Sequence, residues 1–212
     1  MSGNSGRPRT GDVILLRMGI AAAYPVFRTT DPAMAFAQAE RLAALLAVCD
    51  EEVDLFAEFR TVPDLRRVAA VLPEADFDHR GHRTGPAGEK LRFDLDIAAS
   101  DDAALEPHLP MSVMTEVPRG SVERDFVAAL GSGQAAVNWS GQWPEDPETD
   151  CCGSWGYDGV QVVFHGEEAQ WGEWTGHHTV FVSVYKSGDL PRAEKLAAHI
   201  GSEVLGARQQ GW

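Results

Sequence analysis

The sequence predicts an α+β fold, with a mixed, largely antiparallel sheet and helices mainly on one face. Segments with the alternation of strands and segments with helical periodicity follow one another without the strict βαβ order of a parallel sheet. The segment TVFVSVY, residues 179–185, is apolar on both faces and indicates a strand in the middle of a sheet. A chain of 212 residues that is 44 % hydrophobic and 24 % charged can bury one substantial core.

The composition divides the chain into a tail and a body. Residues 1–11 are small, polar and rich in Gly, Ser and Pro, which predicts a flexible tail. Residues 12–212 predict a single α+β domain, and two packed halves, 12–108 and 109–212, are the alternative.

An apolar run near the amino end imitates a signal peptide. Arg7 and Arg9 precede the run VILLRMGIAAAYP, which ends in small residues. Arg17 interrupts this run, so we interpret residues 13–18 as a first strand instead. No apolar run approaches the roughly 20 residues that a membrane-spanning helix needs.

Capping and periodicity predict the other elements of the first half. Asp31 and Pro32 are typical of an N-cap followed by the first helical position, and we expect this helix to run to about residue 48. The segment KLRFDLDI, residues 90–97, has the clearest alternation in the chain, with its odd-numbered apolar residues facing inward. The remaining predictions are a strand at 52–60, a short helix at 63–72 and a loop at 79–90.

The second half predicts more strands than helices. Asp189 is predicted to cap a last helix, 190–206, because Leu196, Ile200 and Val204 recur every four residues. The other predictions are strands at 111–117, 135–139, 159–165 and 178–185, and a helix from about 120 to 130.

The charge of the chain restricts its partners. The formal net charge is −14, which argues against nucleic acid and anionic membranes, because phosphate binding depends on Lys and Arg. An acidic protein attracts a cationic partner. The chain has 3 cysteines, a number that fits a reducing cytoplasm better than a disulfide scaffold.

No catalytic motif is complete in the sequence. The P-loop, the G-x-G-x-x-G fingerprint and H-E-x-x-H are absent. Ser154 lies in CGSWG, where Cys152 replaces the first Gly of a nucleophile elbow. Asp94 and Asp96 share a strand face beside Arg92, which is typical of a solvated sheet surface. We therefore favour a non-enzymatic protein without a cofactor.

A group of cysteines and histidines supports the main alternative, a zinc- or thiol-dependent enzyme. Thiolates and imidazoles are zinc ligands, but the spacing here departs from C-x₂₋₄-C and H-x₃₋₅-H, so we predict no metal site. We interpret the two adjacent cysteines as reduced thiols. The residues of this alternative site are Cys151, Cys152, His165 and His177.

A long segment without cations carries most of the tryptophans. Residues 125–185 contain no Lys or Arg, nine acids and five of the 6 tryptophans. These acids cannot pair with one another, so they must be solvated, pair with the first half, or await an external cation. Tryptophan is enriched at binding hot spots and is the best ring for holding a cation.

We predict that two loops of this segment form one acidic, aromatic rim that binds a basic protein. In one alternative, the tryptophan side chains only cover the end of the sheet, and the acids only keep the protein in solution. In the other, the tryptophans line a pocket for a sugar or an organic cation. The predicted partner-binding residues are Trp143, Glu145, Asp146, Glu148, Asp150, Trp155, Tyr157, Asp158, Glu167, Glu168, Trp171, Glu173 and Trp174.

Residues 116–139 resemble a stretch of bacterial polymorphic-toxin immunity proteins. In both, a Val-Pro pair leads into a helix, a Gly-containing turn and a short strand that ends in Trp. The likeness is carried by Val117-Pro118, Phe126, Ala129, Leu130, Gly133 and Val137-Asn138-Trp139. The resemblance implies a non-enzymatic inhibitor of a toxin and supplies no catalytic residues.

Overall fold

A computed structural model describes residues 21–81, 83–149, 157–170, 172–185 and 189–211. Several predictions from the sequence lie outside these residues. They are the tail at 1–11, the strand at 13–18, Asp150, Cys151, Cys152, Ser154, Trp155 and Trp171.

The described residues form one nine-stranded sheet in which every strand pairing is antiparallel. The strands lie in the order β4-β5-β3-β6-β7-β8-β1-β9, and β2 pairs with the end of β6. Their bounds are β1 Ala22–Thr29, β2 Val48–Cys49, β3 Glu52–Phe59, β4 Phe77–His79, β5 Met111–Pro118, β6 Ala135–Gln142, β7 Asp158–Phe164, β8 His178–Val184 and β9 Gln209–Gln210.

The helices cover one face of this sheet, as the sequence predicts. Residues at alternate positions of each strand, such as Leu55, Val137 and Val182, pack with apolar helix residues such as Phe36 and Leu196 in the main core cluster. The helices are α1 Pro32–Ala43, α2 Val62–Val71, α3 Asp102–Leu105, α4 Glu123–Ala129 and α5 Asp189–His199, with a 3₁₀ turn at Glu106–His108. The α+β prediction is confirmed.

Strands from both halves of the chain are interleaved in the sheet. β5 lies between β4 and β3, and β1 lies between β8 and β9. The described residues before and after position 108 therefore share one sheet, and both contribute to the main core cluster. No helix in the described part of the chain is long and apolar enough to cross a membrane.

The opposite face of the sheet carries a second, smaller apolar cluster. It contains the intervening strand residues and one residue from outside the sheet, Ala169, which is fully buried. Ala169 lies in the connection between β7 and β8, so this connection folds over the face that the helices leave free. The members of the cluster are Ala23, Phe56, Ala136, Val163, Ala169 and Phe181.

The strand predicted at 90–97 is absent, although it has the clearest alternation. Leu91 is 40 % exposed, and the apolar residues that follow are only partly buried against the core. Lys90 forms only an isolated bridge with Thr84, and the Leu91 N–H donates to the Arg83 carbonyl, but the described residues continue this pairing no further. The Ile97 carbonyl accepts from the Arg66 side chain instead. Alternation is a property of one segment, whereas a strand also needs a partner.

The ends of two predicted helices also differ, and one long strand was not predicted. α1 ends at Ala43, before the predicted residue 48, and Val48 belongs instead to β2, which pairs with β6. α5 ends at His199 rather than at 206. β1 was not predicted from the sequence. Its Pro25 lies where the register with β8 shifts, and proline is disfavoured in the interior of a strand.

We expect Leu55→Ala to destabilise the fold by about 2–5 kcal/mol, the usual result of truncating a buried leucine. Leu55 is fully buried in β3, between β5 and β6. Urea denaturation measures the free energy of unfolding. The matched control is Leu91→Ala, whose side chain is exposed and which we expect to change stability by less than about 0.5 kcal/mol. Equal losses would contradict this description of the core.

Candidate functional site

The described parts of the two loops that were predicted to form one rim lie on different sides of the sheet. The β6–β7 loop, residues 143–157, begins with Trp143, which packs in the helix-covered core. The β7–β8 loop, residues 165–177, contributes Ala169 to the opposite face. Because β6, β7 and β8 are antiparallel neighbours, the two loops also leave opposite ends of β7, roughly 20 Å apart at about 3.3 Å per residue. The described residues therefore do not form a single rim.

The prediction of an exposed Trp143 is wrong, since this side chain is only 1 % exposed. Its indole Nε1 donates to the Ser183 carbonyl oxygen at 2.8 Å, and its backbone N–H donates to Asp158 Oδ2 at 3.0 Å. Asp158 is also buried, and its Oδ1 accepts from the Tyr185 N–H at 3.1 Å. Trp143 and Asp158 therefore close one end of the core and present no surface to a partner.

Asp146 is buried and pairs with cations of α5. Arg192 Nη1 lies 2.7 Å from its Oδ2, and Lys195 Nζ lies 2.9 Å from the same oxygen. The Lys195 hydrogen bond, with that of Arg192, lowers the pKa of Asp146 to about 2 although burial opposes this shift. Arg192 also donates to the Pro144 carbonyl, so the start of the β6–β7 loop is fastened to the helix. This pairing was not predicted from the sequence, because both cations lie beyond the cation-free segment.

The other predicted residues of the β6–β7 loop are more exposed. Glu148 Oε2 accepts from Lys195 at 2.7 Å. Glu145 is exposed and has no ion pair among the described residues. Tyr157 is 38 % exposed, and its ring centroid lies 5.2 Å from that of Tyr185.

The β7–β8 loop presents the one tryptophan that the structure describes as exposed. The Trp174 side chain is 49 % exposed, yet both its ring and its polar atom are held. Its Nε1 donates to the Ser132 carbonyl at 2.7 Å, and its ring stacks on the His165 imidazole with centroids 5.4 Å apart and planes 10° from parallel. One face of the indole is therefore covered, and the side chain still gives half of its surface to solvent.

His165 supports this indole from an unusual backbone conformation. Its φ is 55°, in the left-handed region that non-glycine residues seldom adopt. Its N–H donates to His178 Nδ1 at 3.1 Å, and its carbonyl accepts from the Thr175 N–H at 3.0 Å. The next residue pairs with Trp174 in an antiparallel bridge. The loop thus turns sharply at His165 and returns to it.

His178 is the buried member of this group of histidines. It opens β8, is 2 % exposed, and its ring centroid lies 4.7 Å from that of His165. Burial, together with the charges of His165 and His177, lowers the pKa of His178 to about 4, although the Thr30 backbone and Asp31 oppose the shift. His178 is therefore a neutral hydrogen-bonding group at neutral pH.

The acids of the β7–β8 loop differ in their pairing. Glu167 pairs with Arg28 at 3.1 Å and with His177 at 3.2 Å, so an internal cation from the first half neutralises it. Glu168 and Glu173 are exposed, without an ion pair among the described residues. Gly172 has a φ of 38°, in the left-handed region, and the flexible end of Glu168 packs where a Cβ would lie. The backbone conformation therefore favours glycine two residues before Trp174.

The metal alternative finds no support in the described residues. Within them, no group of three His, Cys, Asp or Glu side chains converges as metal ligands do. His165 Nδ1 lies 3.3 Å from the Thr175 carbonyl, and His177 Nδ1 faces Glu167, so the two rings point to different partners. Cys151 and Cys152, the other two residues of this alternative site, lie outside the described residues.

Two surface recesses were not predicted from the sequence. An acidic recess of about 380 Å³ lies at the start of β3, and the signal that could have found it is the acid-rich run DEEVD at 50–54. A second recess, of about 330 Å³, lies between α1 and the turn before α4, and Trp139 at its floor is only 4 % exposed. The acidic recess is lined by Asp50, Glu51, Glu52, Asp54, Glu116 and Ser140.

No protein-family model matches the chain, and no curated protein and no solved structure is significantly similar to it.

We expect Asp146→Asn to lower the urea midpoint of unfolding at neutral pH, because Arg192 then stays buried without its carboxylate. The pKa of Asp146 is about 2 in the folded protein, below the value of about 4 in an unfolded chain. The contribution of Asp146 is therefore present above about pH 4 and is lost as the pH falls towards 2. The two midpoints should converge over that range.

Glu145→Gln is the matched control, since Glu145 is the adjacent residue and is exposed. We expect its midpoint to equal that of the unchanged protein at every pH. If Asp146→Asn is as stable as the unchanged protein at neutral pH, Asp146 does not hold the loop to α5.

Proposed function

We propose that the protein is a non-enzymatic, cytoplasmic binding module that holds a basic partner protein through the β7–β8 loop. The single observation that carries this proposal is Trp174, an indole that is half exposed while its Nε1 and one ring face are already held. A large ring in a held conformation loses little further rotamer freedom when it is covered. Such a ring has the properties of an interface hot spot.

The chemistry of the loop favours a cation on the open face of the indole. An ammonium or guanidinium group over the face of Trp is attracted by the ring quadrupole. The exposed carboxylates of Glu168 and Glu173 lie on the same loop, and their charge would speed the approach of a basic protein. The net charge of −14 acts in the same direction.

The binding surface that we propose is smaller than the one predicted from the sequence. Trp143, Asp146 and Asp158 are buried, and Glu148 is paired, so we leave these residues out of the contact surface. Tyr157 and Glu145 lie at the other end of β7. Trp155, Trp171 and Asp150 stay predictions, because they lie outside the described residues.

We further propose that the partner is a toxin and that the protein is an immunity-type inhibitor. Support comes from the stretch 116–139, which resembles immunity proteins, because its turn lies against the β7–β8 loop. Ser132 accepts the Trp174 indole N–H, and the Gln134 amide nitrogen donates to the carbonyl oxygens of His165 and Gly172, at 3.3 and 3.4 Å. The stretch that carries the likeness thus contacts the exposed loop through its turn, at residues 132–134, while Phe126, Val137 and Trp139 of the same stretch are buried.

We expect Trp174→Ala to remove a basic protein from the set that the tagged protein retains from native lysate. Truncating a Trp at a hot spot costs about 2 kcal/mol or more, a loss of roughly 30-fold in affinity. The matched control is Tyr157→Ala, an exposed aromatic at the far end of β7, which should retain the same partner. Retention unchanged by Trp174→Ala would contradict the proposal.

The charge contribution has a separate test on the retained partner. We expect Glu168→Gln combined with Glu173→Gln to slow association and to flatten its dependence on salt, because exposed charges act mainly on the encounter rate. Surface plasmon resonance at several salt concentrations measures both quantities. Unchanged association rates would exclude a role for these carboxylates.

A further inference from the structure

The Gln134 amide donates to the carbonyl of His165, whose ring supports the exposed indole, and a second buried side chain, His178, accepts the N–H of the same residue. His178 lies in β8, the neighbour of β1 and β7 in the sheet, and its Nδ1 accepts the N–H of His165 at 3.1 Å. The ring of His165 in turn stacks on Trp174. His178 itself touches solvent over only 2 % of its surface, so any effect it has on a partner must act through His165.

We infer that His178 is the positioning residue of this surface: its unprotonated Nδ1 holds His165 in the left-handed conformation and thereby presents Trp174. This inference rests on the proposed function only in its effect on partner binding. The conformation of the Trp174 indole can be measured on the protein without a partner.

The geometry defines the state in which His178 can do this. Because Nδ1 is an acceptor, the neutral ring carries its proton on Nε2. The rings of Phe164, at 5.5 Å, and of His165, at 4.7 Å, flank the imidazole. These neighbours leave the imidazole little freedom to turn, so the acceptor stays directed at the loop.

The left-handed turn needs such an acceptor. A residue with a Cβ is disfavoured at a φ of 55°, and His is among the few residues that tolerate it. In any other conformation the His165 N–H would leave His178, and the imidazole that supports the indole would move with it. The Thr175 N–H, which donates to the His165 carbonyl, holds the other side of the same residue but not its N–H.

Protonation reverses the role of His178. A proton on Nδ1 turns the acceptor into a donor that faces the His165 N–H. The charged groups around the ring are Asp31, which favours the proton, and His165 and His177, which oppose it, while Glu167 and Arg28 lie beyond His177. Burial and these histidines lower the pKa of His178 to about 4. The bond from the His165 N–H to Nδ1, which keeps Trp174 in place, is therefore present at neutral pH and is lost as the pH falls towards that value.

Two substitutions separate positioning from packing. His178→Asn keeps a polar atom near the position of Nδ1 and does not titrate, whereas His178→Gln moves its polar atoms one bond further, towards the position of Nε2. The readout is the nuclear magnetic resonance signal of the Trp174 indole N–H, assigned with Trp174→Phe. The indole N–H of Trp143, bonded to Ser183 on the helix-covered side, is an internal reference for folding.

We expect the Trp174 signal of the unchanged protein to move, and its protection from hydrogen exchange to fall at least tenfold, between pH 7 and pH 4, while the Trp143 signal stays. In His178→Asn, the Trp174 indole N–H should be protected at pH 7, and its protection should stay constant between pH 7 and pH 4. In His178→Gln, the same N–H should already be unprotected at pH 7. A protected, unchanged Trp174 signal in His178→Gln would overturn the inference.

If His178→Gln does not fold, His178→Asn alone decides: a flat profile supports the inference, and a slope equal to that of the unchanged protein overturns it. Retention of the partner from lysate is measured on the same variants. If the His178 variants change the Trp174 signal as expected but the unchanged protein retains no partner, the positioning role of His178 stands. That outcome contradicts the proposed function instead.

Discussion

The antiparallel order of β6, β7 and β8 constrains the whole second half of the molecule. Neighbouring antiparallel strands reverse direction at each connection, so the loops before and after β7 leave it at opposite ends. The tryptophan-rich segment is thereby divided. One part begins with Trp143 and enters the helix-covered core, and the other carries Trp174 and folds over the opposite face of the sheet.

Charge is divided in the same way. The part of the segment near α5 lies within reach of Arg192 and Lys195, which neutralise the buried Asp146. A buried carboxylate without such partners would be costly, so this pairing is a condition for closing the core at that end. Across the sheet, Arg28 reaches Glu167, and the acids beyond it stay in solvent. Of the acids in these two loops that the structure describes, Glu145, Glu168 and Glu173 stay exposed without an ion pair to a described residue.

Several elements follow from local chemistry and were predicted from the sequence. Asp31 caps α1 by accepting from the Ala33 N–H, and Thr61 and Pro63 begin α2. Residues 90–97 show the opposite case, since their alternation has no neighbouring strand to pair with. The short strands β2, β4 and β9, of two or three residues each, exist only because longer strands offer them an edge. No window of sequence contains that information.

The sequence by itself determined the fold class, most of the long elements and the presence of an acidic, tryptophan-rich segment, because periodicity, caps and charge are local properties. Only the tertiary structure decided which of those side chains face solvent. Trp143 and Trp174 are the same residue type in the same segment, yet one is 1 % and the other 49 % exposed. The physical reason is that exposure depends on what each side chain packs against in the folded chain. Trp143 packs in the core and donates to β8, whereas Trp174 stacks one face on the His165 imidazole, and the His165 N–H is bonded to His178.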